Sequence, residues 1–135
     1  MLEPIYELGK TYGLTFNFDI ARGGNTLNAF KLLKLAHNHN KQLELASTLF
    51  DAHFQHGILL SDKAALKEIA KIHNLPETEV DQALNTDQFV ADIETDEKLA
   101  ITIGFEGTPF FLFDYRIKAP GLKPASEYLF IIEGI

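Results

Sequence analysis

Residues 96–111 read Asp96-Glu97-Lys98-Leu99-Ala100-Ile101-Thr102-Ile103-Gly104-Phe105-Glu106-Gly107-Thr108-Pro109-Phe110-Phe111, and their order decides the fold. A helical pattern stops at Gly104, a short loop follows, and Thr108-Pro109 leads into the apolar run Phe110-Phe111-Leu112-Phe113. Such a run suits a strand buried on both faces. X-Pro is the peptide bond that reaches cis at low cost, about 0.5–1 kcal/mol above trans. A cis bond ahead of a strand would turn the N–H and C=O of Thr108 outward, where an extended peptide or a cysteinyl ligand can add as a further strand. The alternative is that Pro109 merely opens the strand, at a position that needs no N–H.

Downstream of this run, Asp114 turns the chain into a more exposed, alternating strand over 115–118. Residues 119–121 form a loop, and Pro124 opens a terminal helix to about Glu133 with Tyr128, Leu129, Ile131 and Ile132 on its packing side. Upstream the period is mostly helical. Residues 2–12 are amphipathic, with Pro4 in the first turn and Gly13 at the C′ position. Residues 14–18, Leu-Thr-Phe-Asn-Phe, alternate and are rich in aromatics, so they read as a short strand. Asn25 or Thr26 caps a helix to about His37 with Leu27, Phe30, Leu33 and Leu32 inward. Residues 43–54 follow with a stripe of Leu45, Leu49, Phe50 and Phe54. Ser61 caps a helix over 62–73 bearing Leu66, Ile69, Ala70 and Ile72, and Pro76, Glu77 and Glu79 start another. Thr86 opens the last helix of the series, which carries Phe89, Val90, Ile93, Leu99 and Ile103.

The chain has 135 residues, 46% of them hydrophobic, which is one domain with enough apolar material for a core. Its formal charge of −7 argues against nucleic-acid binding. No apolar run approaches the roughly 18 residues of a membrane span. Residues 1–12 lack a basic region followed by an apolar stretch, so the expected compartment is the cytoplasm. There is no cysteine, so this polypeptide alone can build no disulfide, thiolate nucleophile or zinc–thiolate site.

Three motifs in order resemble the DsbA-like thioredoxin-fold family, in particular FrnE-type thiol-disulfide oxidoreductases and the related 2-hydroxychromene-2-carboxylate isomerases. Asn25-Thr26-Leu27-Asn28-Ala29-Phe30-Lys31-Leu32 is similar to the family's Asn-Thr-x-x-Ala-His-Arg-Leu, with Phe30 and Lys31 in place of His-Arg. Leu49-Phe50-Asp51-Ala52-His53-Phe54 is similar to Leu-Phe-x-Ala-Tyr-Phe. Ala100 to Phe111 is similar to Ala-x-x-x-Gly-x-x-Gly-Val-Pro-x-Phe, with Thr108 for Val. One departure follows the final hairpin, where residues 117–124 replace the usual Ile-x-Gly-Ala-Gln and suggest a small insertion.

The resemblance implies an α/β, predominantly helical, thioredoxin-like fold of DsbA type. One domain over 1–135 would comprise a strand at 14–18, a helical insert at 25–104 and a strand-strand-helix unit at 109–135. It also implies that the family's first strand and Cys-x-x-Cys loop would precede Leu2, so that the chain reads as a truncated, redox-inactive form. With that strand missing, two sheet edges lack partners, which favours a homo-oligomer, direct pairing of the remaining strands, or a separate N-terminal polypeptide.

Under this resemblance no residue of the chain is catalytic, and Thr108, Pro109 and Asn25 are the substrate-binding candidates. The partner would be a thiol- or disulfide-containing protein or small molecule, with no nucleic acid and no membrane. No cofactor is expected; in an isomerase-type relative, Asn25 and the Thr108 backbone would contact glutathione. A non-catalytic peptide-binding module is a further alternative. His53 and His56, three residues apart, and His37 and His39 lack the ligand number and spacing of a metal centre, so none is expected. Gly23-Gly24 ahead of a helix is a weak anion-site signal and reads instead as a loop hinge.

Overall fold

The computed structural model describes residues 2–135. Among them are seven helices and one two-stranded sheet: α1 (Glu3–Thr11), α2 (Leu27–Asn38), α3 (Gln42–Phe54), α4 (Lys63–Ile72), α5 (Glu77–Asn85), α6 (Val90–Thr102), β1 (Phe110–Phe113), β2 (Ile117–Pro120) and α7 (Ala125–Glu133). The chain divides into two compact units, residues 1–93 and 94–135, with the division inside α6 rather than at the loop before β1.

The first unit holds a helical core. Ala29, Leu32, Leu35 and Ala36 of α2 are buried, at the three- and four-residue spacing of one helical face, and they meet Leu45 and Leu49 of α3, Leu66 and Ile69 of α4, and Val80, Ala83 and Leu84 of α5. Leu32, Leu45, Leu66 and Leu84 are wholly enclosed, each worth about 1.5–3 kcal/mol of transfer free energy. The inward face of α2 therefore differs from the expected one: Leu27 and Phe30 are exposed and Leu33 only half-buried. Phe50 and Ile72, expected inside, are also exposed.

Helix ends in this unit follow a recurring pattern. After α2 and α4 the C′ residue is Asn40 or Asn74, each at positive φ, and the next N–H closes back on the helix: Lys41 to Ala36, Leu75 to Ala70. Asn tolerates this left-handed region better than most residues because its short polar side chain bonds locally. Two lysines then cap carbonyl ends from a distance, Lys41 Nζ at the His73 oxygen (2.6 Å) and Lys31 Nζ at the Thr86 oxygen (2.7 Å). Ser61 does not cap α4; Asp62 does, accepting from the N–H groups of Ala64 and Ala65. Thr86 does not open α6 but closes α5, and α6 begins at Val90.

Residues 14–18 form no strand. A strand exists only where a neighbour completes its ladder, and here the backbone is used otherwise: Leu14 N–H donates to the Gly9 carbonyl and Asn17 N–H to the Phe54 carbonyl. The alternating aromatics serve packing instead. Phe16 and Phe18 stack at 5.3 Å, each meets Phe54 edge-on, and Tyr6 meets Phe18 edge-on while accepting the Phe18 N–H at its hydroxyl. The sheet among the described residues comprises β1 and β2.

In the second unit, β1 and β2 form an antiparallel hairpin with Phe110 opposite Pro120 and Phe113 opposite Ile117. The hairpin turns at Asp114 and Tyr115, both at positive φ, with Arg116 N–H on the Phe113 carbonyl and the Arg116 guanidinium on the Asp114 carboxylate. β1 is not buried on both faces: Phe110, Leu112 and Phe113 are half-buried and Phe111 is exposed, because a two-stranded sheet offers cover on limited sides. β2 lies two residues later than expected and takes in Ala119 and Pro120. On α7, Tyr128 and Ile131 are half-buried, whereas Leu129 and Ile132 are exposed.

Candidate functional site

The loop before β1 is held at both ends. Gly104, at φ 77°, is the C′ residue of α6, and Phe105 N–H closes on the Ala100 carbonyl. The ring of Phe105 meets Phe110 edge-on at 5.8 Å, so the loop is folded over one face of the hairpin. At its far end the Pro109 carbonyl accepts the Gly121 N–H at 2.8 Å. Gly121 is fixed in turn by Tyr128, whose hydroxyl donates to the Gly121 carbonyl (3.3 Å) and accepts the Lys123 N–H (2.9 Å). Tyr128 also packs on Phe111 and Phe113, with centroids 4.9 and 6.2 Å away. The Thr108–Pro109 peptide bond is cis, and both residues are exposed.

Register then assigns every backbone group of β1. Bonded and non-bonded residue pairs alternate along an antiparallel ladder. Pro109 and Gly121 are bonded, so Phe111 with Ala119 and Phe113 with Ile117 are the bonded pairs of the strand. Phe110 and Leu112 oppose Pro120 and Lys118 without bonding them, and their N–H and C=O groups face the other edge. Pro120, which has no N–H to donate, fits its non-bonded position opposite Phe110. That second edge has no neighbour strand among the described residues. Thr108, whose N–H and C=O also lack a hydrogen-bond partner among the described residues, continues the same edge.

Of the residues singled out from the sequence, Thr108 and Pro109 therefore sit together at the start of this edge. Asn25 belongs to the first unit, where its Oδ1 accepts the Leu27 N–H at 2.8 Å at the start of α2. One lone pair of that oxygen is used in a helix-start bond, leaving its second lone pair and its amide N–H groups for a ligand. The groups that sequence reasoning missed are the backbones of Phe110 and Leu112, which no residue-type signal marks, and the Tyr128–Gly121 tether. Among the described residues no three metal-ligating side chains converge, and no helix is long and apolar enough to cross a membrane.

A family model described as DSBA-like thioredoxin domain matches residues 1–128. The crystal structure of a probable DsbA oxidoreductase from Streptomyces coelicolor is similar in fold, with a TM-score of 0.90 at 22% identity over 98% of this chain and 57% of that chain. The present chain thus spans a little over half the length of that relative. No curated protein matches it.

Proposed function

Because the chain belongs to the DsbA-like thioredoxin domain family, we propose that it is the substrate-docking part of a thiol-disulfide oxidoreductase, with the reactive thiol supplied by residues other than these 135. The observation that carries this reading is the exposed Thr108 backbone at the head of the open β1 edge, whose N–H and C=O lack a partner among the described residues and can hold an extended segment, while Phe110 and Leu112 beyond it present the edge that the family's first strand would fill. A cysteinyl peptide added at Thr108 would be held by its backbone, leaving its side chain free for exchange with a thiol from elsewhere. With no cysteine of its own, the chain does not carry out that exchange.

Finer assignments belong to the same proposal. The FrnE-type subgroup is supported by the three motifs at 25–32, 49–54 and 100–111. Self-association is supported by the same open edge, since a second copy can supply the missing strand when no substrate is present.

Calorimetric titration with an extended peptide carrying an S-methylated cysteine tests the docking. Binding is expected, and Thr108→Pro is expected to abolish it, because it deletes the unpaired N–H ahead of β1 while sparing the bonds to β2. Unchanged binding in Thr108→Pro, or none in the parent chain, rejects the proposal. Insulin reduction by the chain above the buffer rate would reject its redox inactivity. If glutathione binds and only Asn25→Ala removes it, the glutathione-dependent isomerase reading takes over.

A further inference from the structure

β2 has a free edge of its own, on the side of the hairpin away from the Thr108 edge and wholly within the unit of residues 94–135. Ala119 and Ile117 turn their backbone groups inward, to Phe111 and Phe113. The groups of β2 that point outward are therefore the N–H and C=O of Lys118 and the C=O of Pro120. They have no hydrogen-bond partner among the described residues.

Between this edge and α7 runs an open groove of about 380 Å³, within the roughly 300–1,000 Å³ usual for ligand sites. Buried Ala119 forms its floor, and Phe130 and Ile131 of α7 form its far wall. A strand edge beside a helix, with an apolar lining between them, suits strand addition. Main-chain bonds hold an extended segment there while its alternate side chains enter the groove.

The charges around the groove decide what kind of segment fits. The chain carries a net −7, yet two lysines flank this edge. Lys118 has no ion pair among the described residues, and the Lys123 ammonium meets Glu127 only at 3.4 Å in an exposed pair of little strength. A second copy of the chain fits badly. Of the two outward residues Lys118 alone has both N–H and C=O, so a symmetric pairing of two β2 edges would centre on Lys118 against Lys118, like charge facing like charge. Pro120 then interrupts the row of donors, which limits the partner to a short segment.

We propose that the groove between β2 and α7 docks a short extended segment of a partner protein in which an acidic residue stands between two apolar ones. The segment adds antiparallel to β2. Its acidic residue exchanges both backbone bonds with Lys118 and shares the hairpin face of the Lys118 side chain, carboxylate beside ammonium. Side chains alternate along a strand, so the apolar neighbours fall on the opposite face, that of Ala119. There they enter the groove against Phe130 and Ile131. The site is separate from the one at Thr108, and both can be filled at once.

The peptide Thr-Phe-Glu-Val-Thr, acetylated and amidated, titrated into the full chain and followed by calorimetry and amide hydrogen exchange, tests the proposal. It is expected to bind and to protect the Lys118 N–H, which exchanges freely in the unbound chain, while the Thr108 and Phe110 amides stay unprotected. Methylating the peptide's glutamate nitrogen removes the donor to the Lys118 carbonyl without altering the protein, and should weaken binding about tenfold. Lysine in place of that glutamate should weaken it about fivefold. Phe130→Ser changes a side chain that is 79% exposed, so the fold is kept, and should also weaken binding about tenfold. No binding at millimolar concentration, unchanged affinity in any of these three comparisons, or protection at Thr108 in place of Lys118 overturns the proposal.

Discussion

Nζ of Lys31 lies 2.7 Å from the carbonyl oxygen of Thr86 and donates to it, joining the middle of α2 to the C-cap of α5. Lys31 is 5% exposed, which is unusual for a lysine and is tolerated because the ammonium meets the negative end of a helix. Lys31→Met removes that donor and leaves a helix-end carbonyl without it. Urea unfolding should show a loss of about 2 kcal/mol, the size of a hydrogen bond to a charged group. A loss below about 0.5 kcal/mol would mean that the carbonyl is satisfied another way.

The start of α4 separates two adjacent residues. Asp62→Ala removes the side chain that accepts from Ala64 and Ala65 and should cost about 1 kcal/mol. Ser61→Ala should leave the unfolding midpoint unchanged. The reverse ranking would show that Ser61 holds the cap in solution.

Gly57 and Gly13 both sit at positive φ, 64° and 70°. A Cβ at Gly57 would stand 2.5 Å from the Ile20 carbonyl oxygen, whereas one at Gly13 would meet nothing within 4 Å. Gly13→Ala therefore pays only the left-handed penalty, about 1–2 kcal/mol. Gly57→Ala must also displace backbone, and its Tm should fall clearly further than that of Gly13→Ala.

Tyr128→Phe keeps the ring on Phe111 and Phe113 but removes the hydroxyl that fixes Gly121. Stability should drop by about 1 kcal/mol. Affinity for the S-methylated cysteinyl peptide should fall as well, because Gly121 anchors the Pro109 carbonyl. Unaltered affinity would uncouple this tether from the docking edge.

The family and most helices were legible in the sequence because helical spacing and the Gly104 to Phe111 punctuation are local signals. Residues 14–18 show the limit of such signals. Alternation reports a half-buried extended stretch, and it cannot report whether a neighbouring strand is there to pair with it. The exposed Phe111 has the same origin: four apolar residues in a row predict burial only if layers exist on both sides. Thr86 and Ser61 were misassigned because a polar residue next to a helix fits either side of a boundary. Thr108 and Pro109 were visible as a motif. The open edge they lead into was not, since backbone groups carry no residue signature and only the register with β2 reveals which way they face.

Amide hydrogen exchange along β1, measured at low protein concentration with and without the S-methylated cysteinyl peptide, tests the docking edge most directly. The N–H groups of Phe111 and Phe113 should be protected in both conditions, since β2 pairs them. Those of Thr108, Phe110 and Leu112 should exchange freely in the unbound chain, and that of Thr108 should become protected when peptide is added. Protection of Thr108 that is already complete without peptide, or that does not change on adding it, would contradict the account.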